Sequence, residues 1–498
     1  MKWLLCVAVA FAATEIEVFR LIQYEHEGTL LGSQVASLNF LGAHYLNTKE
    51  IPRKMTLIHI NELSLSTLSF VLSNKPSALL IIIDKSSPPD NLHELETHLG
   101  SSTYQFPIYF AYQTPSIISV YEELKEIPSD QSFNSDQLSF ELKTNEKTPL
   151  RPLKLENLYG FVYEYSEQLP TVALVAYYDS FSVVPEMTKG MDRNGSGVIA
   201  ILELAKIFHK LFAQSPPAFN LMLLLNSAGN LNFQGIKSWL DAEDPEIQSI
   251  AQNIVFALCL DTIGKDQEVN LHISRFHKPE ETEVKRLYDS MNKTASLAKT
   301  QLNYVKKKVN MADPYIPWQH ENFARKKIVG ATFSHLPSPF SSNLDSSNIL
   351  DDTFDSEALE RNVRFLAESL SRFLYNLEDN KLILYDKQDL TSQESIETFK
   401  QQLANFTRFP TQLGVNSAFT KLLKQSLKES VGMNLTSQEF QLSEFTFYDS
   451  KVETLKVYKV KPPILDFYVF LGTLSYIAVL WALLKFCGNL RFAKQKKK

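Results

Sequence analysis

Between residues 54 and 125 the chain alternates short, unbroken apolar runs with stretches whose apolar positions recur at helical spacing. KMTLIHI, SALLIIID and FPIYFAY are rich in β-branched and aromatic residues, as strands covered on both faces are. LSLSTLSFVLS, NLHELETHL and PSIISVYEELK read as helices. A polar stretch, 127–152, reads as a loop or linker. The alternation resumes near 165, with strands predicted at TVALVAYY, NLMLLLN, IVFALCLD and KIVGATF. Between them lies GVIAILELAKIFHKLF (197–212), where Val198, Ile201, Leu202, Ala205 and Phe208 share one helical face. A long helix is predicted over 356–377, with Asp355 or Ser356 as its N-cap. This order predicts an α/β fold with a mixed or mostly parallel sheet wrapped by helices. Residues 381–460 are less regular: SAFTKLLKQSLKES reads as a helix, and EFTFYDS and LKVYKV as strands.

The two ends have patterns of their own. MKWLLCVAVAFAAT joins one early cation to a short apolar run with small residues at Ala10 and Ala12, the form of a cleavable secretory signal. FYVFLGTLSYIAVLWALL (467–484) carries no charge and is long enough to cross a bilayer as a helix. Lys485, Arg491, Lys494, Lys496, Lys497 and Lys498 follow it, so positive-inside bias puts that end in the cytosol. The expected segments are a signal peptide (1–12), an N-terminal α/β lobe (13–150) and a larger α/β domain (151–380). A lumenal region and linker (381–463), a transmembrane helix (464–485) and a basic cytosolic tail (486–498) make up the rest. Lys494 and Lys496 match a dilysine pattern for retrieval to the endoplasmic reticulum. The expected topology is therefore single-pass type I, with the body in the lumen.

Charge and cysteine content narrow the partners. Removing the six tail cations and Lys2 from the formal −6 leaves the body near −13, which argues against a nucleic-acid partner. Membrane lipid is the expected neighbour of the tail. Of three cysteines only Cys259 lies in the lumenal body, so no intrachain disulfide is available there. Sequons at Asn194, Asn292, Asn405 and Asn434 are expected glycosylation sites in that compartment. VKKKV (305–309) reads as a solvated charge run, and His320 and His335 as structural histidines.

Ligands of open α/β sheets gather at the carboxyl ends of strands. Tyr177 and Asp179 stand at the end of the first of these strands, then Asp192, Arg193 and Asn194; Asn226–Gly229 and Asp261 follow the next two strands, and Asp351 and Asp352 come later. G-x-D-x-N-G-S-G (190–197), LDTIG (260–264) and DDT (351–353) in this order resemble the M28-type zinc aminopeptidases. The resemblance implies a mixed sheet flanked by helices. It also implies a site in which a His-x-Asp motif, a bridging acid, a Glu-Glu pair, an Asp and a late His hold two zinc ions and supply the base. Carried over residue by residue, the first His falls on Tyr177 and its supporting carboxylate on Asp179. The bridging acid falls on Arg193, with Asp192 as its non-ligand neighbour, and the Glu-Glu pair falls within Asn226–Gly229. The later Asp is Asp261, and the last His falls at Ser347 or Asn348. Zinc needs about three or four donors, and a guanidinium 4 Å from a dication is repelled by about 8 kcal/mol at an effective dielectric near 20. The expectation is a degenerate peptidase site with no metal, no cofactor and no catalytic residue. Arg193 is expected to stand in for the metals by pairing with Asp179 or Asp261.

Further segments resemble the nicalin family, a nicastrin-like branch of this group: YEHEGTLLGSQVASLN, AYYDSF, DRNGSGV, NFQGIKSWL, FALCLDTIG, WQHENFARKKI, ERNVRFLAESLSRFLYNLE and EFTFYDS…YKVKPPILDF. That resemblance implies a non-enzymatic scaffold in a complex with Nomo (the Nodal modulator protein) and transmembrane protein 147. The complex is expected to act with the Sec61 translocon and its ribosome in multipass membrane protein biogenesis, with effects on Nodal signalling or receptor assembly. The alternatives are a nicastrin-like ectodomain that binds substrate N-termini, or an active lumenal aminopeptidase.

Overall fold

The computed structural model describes residues 14–47, 54–87, 89–126, 137–150, 152–265, 268–276, 278–339, 349–387, 390–460 and 463–495. The expected signal peptide, Asn348 and Lys496 lie outside these residues.

A mixed eight-stranded sheet forms the larger lobe. Its order is Leu302–Lys306, Val269–Ile273, Gly330–Ser334, Ile254–Leu260, Thr171–Tyr177, Asn220–Asn226, Leu153–Phe161 and Thr436–Leu442. The four middle strands run parallel, and Leu153–Phe161 lies antiparallel to both of its neighbours. Every residue of TVALVAY and NLMLLLN is buried, which explains their unbroken apolar runs. The helices Gly197–Gln214, Thr282–Ala298, Ser356–Leu374 and Ala418–Val431 cover one face, where Phe208, Leu287, Phe365 and Leu423 share a core. Gln234–Leu240, Pro245–Gln252 and His320–Arg325 cover the other, with Trp239, Ile250 and Phe323 beneath. Fully burying a side chain of this kind contributes about 1.5–3 kcal/mol.

The smaller lobe is a closed barrel of Thr14–Arg20, Val452–Val460, Gln137–Leu142, Leu38–His44, Lys54–His59, Ala78–Ile83 and Ile108–Tyr112. A five-stranded sheet that includes Gln23–His26 and Phe445–Tyr448 adjoins it. The stretch 127–152 is therefore not simply a linker. Gln137–Leu142 enters the barrel between Leu38–His44 and Val452–Val460, with Phe140 opposite Val457. Its sequence QLSFEL alternates half-buried and buried positions, so a strand with one wet face was hidden by polar composition. A buried Lys147–Glu453 pair at 2.6 Å ties the same stretch to the last strand of the body. Strands from 436–460 thus complete both lobes and do not form a unit of their own.

Beyond Val460 a helix runs from Pro463 to Gln495. Its window Phe467–Lys485 has a mean hydropathy of 2.0 and none of it is buried against the body. This is one helix long and apolar enough to cross a membrane, consistent with a single-pass anchor. Lys494 lies in its last turn.

Candidate functional site

Tyr177 ends a central parallel strand, and its ring is almost fully buried, at 1% exposure. Its hydroxyl donates to Asp261 Oδ1 at 2.9 Å, and the Thr262 hydroxyl donates to the same oxygen at 2.6 Å. Burial, then the Asp261 carboxylate, pushes the Tyr177 phenol well above its ordinary pKa, so it stays a neutral donor. Space for that ring comes from the next loop. A Cβ at Gly229 would lie 2.2 Å from Tyr177 Cγ, so no side chain fits there beside the tyrosine. The tyrosine ring and a side chain at 229 therefore exclude each other.

Asp179 is fully buried and turned toward the same loop, where Gly229 N–H donates to Oδ1 at 2.7 Å and Asn230 N–H to Oδ2 at 3.4 Å. Desolvation raises its pKa to about 6 despite these bonds. Asp192 Oδ1 accepts from Gly264 N–H at 2.8 Å. Asp351 accepts from the backbone N–H groups of Asp192 and Arg193, both at 2.8 Å. Burial, then the neighbouring Asp192, lifts the Asp351 carboxyl to about 7. Each carboxylate is thus committed to the backbone or to a hydroxyl. Among the described residues no group of three or more His, Cys, Asp or Glu side chains is placed to hold a metal ion. The residues present do not fit a zinc pair.

Arg193 is partly exposed and faces Tyr177 and Asp261. Burial works against its charge, but these two groups outweigh it and hold the guanidinium pKa above its ordinary value. Of the two carboxylates expected to pair with it, Asp261 raises its pKa through space, whereas Asp179 is held by backbone N–H groups. His93, from the small-lobe helix Leu92–Ser101, stands near enough that burial and then Arg193 depress its pKa. Tyr315, 53% exposed, feels the same cation from another loop.

Asn194 corrects a second expectation. It is fully buried, its Nδ2 donates to Leu260 O at 2.7 Å, and its Oδ1 accepts from Gly197 N–H and Thr262 N–H. The folded protein offers no amide there for a glycan, because the loop spends that side chain on bridging two strand ends. Asn292, Asn405 and Asn434 are exposed. His320 is buried against Thr332 Oγ1 at 2.9 Å, and desolvation drops its pKa to about 3. His335 Nδ1 lies 3.9 Å from Asp192.

No pattern along the chain points to Arg408. Fully buried, it donates to the carbonyls of Tyr178 and Lys189, each at 2.9 Å, and to that of Gly190. Desolvation lowers its pKa to about 10, with Asp351 and Asp179 opposing. One cation from the irregular 381–460 region thereby closes the site loop. Segment 349–352 does the same between lobes: Ile349 N–H reaches Glu96 at 3.1 Å and Asp352 pairs with Lys85 at 2.9 Å.

Comparison with known proteins agrees with this geometry. Residues 162–361 match the model of peptidase family M28. The crystal structure of the gamma-secretase component nicastrin superposes with a TM-score of 0.65 at 10% identity, covering 89% of this protein and 99% of that one. The protein is therefore a nicastrin-like fold built around an M28-family domain. Human BOS complex subunit NCLN is 28% identical, over 94% of this protein and 89% of its own length. The zebrafish (Danio rerio) protein of that name is 28% identical over 98% and 93%, and Caenorhabditis elegans nicalin is 24% identical over 94% and 89%. The chain is thus similar to the nicalins along nearly its whole length.

Proposed function

We propose that the protein is a non-catalytic scaffold subunit of a BOS-type complex in the endoplasmic reticulum membrane, with its α/β body in the lumen and one C-terminal span. The observation that carries this reading is the correspondence with BOS complex subunit NCLN over 94% of the sequence. The site supports the non-catalytic part. Tyr177 and Gly229 exclude the family's first ligand and an acid at 229, Arg193 places a cation where a bridging acid is needed, and the remaining carboxylates are capped. Hydrolysis without a positioned acid or base forgoes a factor of about 10² to 10⁴. The partners proposed are those of the family resemblance: Nomo, transmembrane protein 147, and the Sec61 translocon with its ribosome. The complex would serve multipass membrane protein biogenesis.

Purification of the tagged full-length protein in mild detergent tests the subunit reading. Nomo-like and multipass partners are expected in fixed ratio, and a protein that purifies alone would sink it. Elemental analysis with a peptide panel tests the rest. Stoichiometric zinc with chelator-sensitive release of amino acids would overturn the non-catalytic reading.

A further inference from the structure

The eight-stranded sheet ends differently on its two sides. Leu302–Lys306 is five residues long and runs into three consecutive lysines, Lys306–Lys308, a short and charged edge that resists a further strand. Thr436–Leu442 has neither protection. Its seven residues, TSQEFQL, contain no Lys, Arg, Pro or Gly, and its antiparallel pairing runs without a bulge from Tyr159 opposite Thr436 to Leu153 opposite Leu442. Among the described residues no strand pairs with its outer side, and Thr436, Ser437, Glu439 and Gln441 are exposed. An edge of this form leaves the N–H and C=O groups of alternate residues turned outward, a template for another strand.

Charge selects what this edge accepts. Glu439 lies directly opposite Glu156, whose carboxylate Lys424 holds at 2.8 Å, so the inner neighbour of Glu439 is another acid. At the end of the strand a cavity of about 620 Å³ opens, lined by Gln441 and Leu442 themselves, by Glu25, Glu27 and Glu444, and by Phe445. Among the described residues no Lys, Arg or His lines it. Two lysines stand beside these four glutamates: Lys154, opposite Gln441, and Lys237, 3.8 Å from Glu444. The edge is therefore acidic as well as open.

We propose that Thr436–Leu442 accepts an extended, basic segment of another polypeptide as a ninth strand, with Lys or Arg side chains set beside Glu439 and in the acidic cavity. Main-chain hydrogen bonds to the open edge supply affinity, and the cross-strand charge pairs supply selectivity. A second copy of this chain is a poor occupant. Antiparallel pairing of TSQEFQL with itself about its middle residue sets Glu439 against Glu439, and like charges directly opposite are destabilising. The exposed Asn434 precedes the strand at the end away from the cavity, so a glycan there stands clear of residues 438–442. The inference does not rest on the subunit reading, since the edge and its charges belong to this chain alone.

The test uses the purified full-length protein in detergent and a fluorescein-labelled nonapeptide in which Lys alternates with Thr or Val. Two control peptides carry Glu in place of each Lys, or the Lys sequence with its backbone amides N-methylated. Fluorescence anisotropy measures affinity, and hydrogen exchange read by mass spectrometry locates the contact. The Lys peptide is expected to bind at least about tenfold more tightly than either control, as several cross-strand charge pairs together allow, and to slow exchange over 436–442. Glu439→Lys, at an exposed position, should weaken the Lys peptide several-fold and strengthen the Glu peptide, a reversal that misfolding would not produce. Equal affinity for the Lys and Glu peptides, binding undiminished by N-methylation, or no binding of any peptide overturns the proposal and needs no variant. So does protection that falls outside 436–442, or a preference untouched by Glu439→Lys. Protection of 436–442 that grows with protein concentration in the absence of peptide would assign the edge to a second copy and also overturn it. Failure of the peptide to bind, with intact co-purification of partners, would remove this docking edge and leave the subunit reading standing.

Discussion

Tyr177 and Gly229 can be tested as a pair. Gly229→Ala forces a Cβ into the tyrosine ring, an overpacking expected to cost roughly 1–3 kcal/mol. In a Tyr177→Ala background most of that cost should vanish, so a double-mutant cycle read by urea denaturation should show coupling. Additive losses would mean that the two residues are independent. Protonation gives a second residue-scale prediction. The folded pKa of Asp179, about 6, lies above its ordinary 3.8, and that of Asp351 is raised to about 7. Both carboxyls are protonated when folded and ionised when unfolded between about pH 4 and pH 6, so folding takes up protons there. Their contribution is full below pH 4 and is lost as pH rises through the folded values. The urea midpoint should fall over this window, and Asp179→Asn should flatten part of the fall; an unchanged slope would dismiss the assignment.

At the scale of elements, legibility followed burial. TVALVAY and NLMLLLN are covered on both faces, so their apolar runs announced them. QLSFEL is wet on one face, and the edge strand TSQEFQL is mostly exposed or half-buried, so neither stands out from loop composition. The Ser356–Leu374 helix was legible from its amphipathic period and its cap. Asp355 accepts from Glu357 N–H at 2.9 Å and Ala358 N–H at 3.3 Å. Asp355→Ala should therefore destabilise the body by about 1 kcal/mol, measured by chemical denaturation. The site was legible in the same uneven way. Tyr177, Asp179, Arg193 and Asp261 stand at ends of strands or in the loops after them, where pattern points. Arg408 reaches the Tyr178, Lys189 and Gly190 carbonyls beside them only through tertiary contact across more than 200 residues, and no local pattern encodes that.

For the whole molecule, the sequons report which side of the membrane the body occupies. In cells, Gln at Asn292, Asn405 or Asn434 should each remove one glycan-sized mobility step, whereas Asn194→Gln should change nothing, because that amide is enclosed. A mobility step at Asn194 would mean that its loop opens before or after folding. A second experiment severs the anchor. A truncation ending at Val460 keeps the barrel strand Val452–Val460 and should be a compact, protease-resistant monomer, whereas one ending at Ser450 loses that strand and should expose Thr14–Arg20 and Gln137–Leu142 to digestion.

The pairing of Thr14–Arg20 with Val452–Val460 also sets a schedule. Strand 14–20 leaves the ribosome early, yet its neighbour is translated late, immediately ahead of the apolar helix. Until then the small lobe is a barrel with a missing stave, its two unsatisfied rims open to chaperones or to misplaced strands. Closure must await nearly complete synthesis, so newborn molecules should acquire protease resistance in the large lobe first and in the small lobe only around the time of membrane insertion.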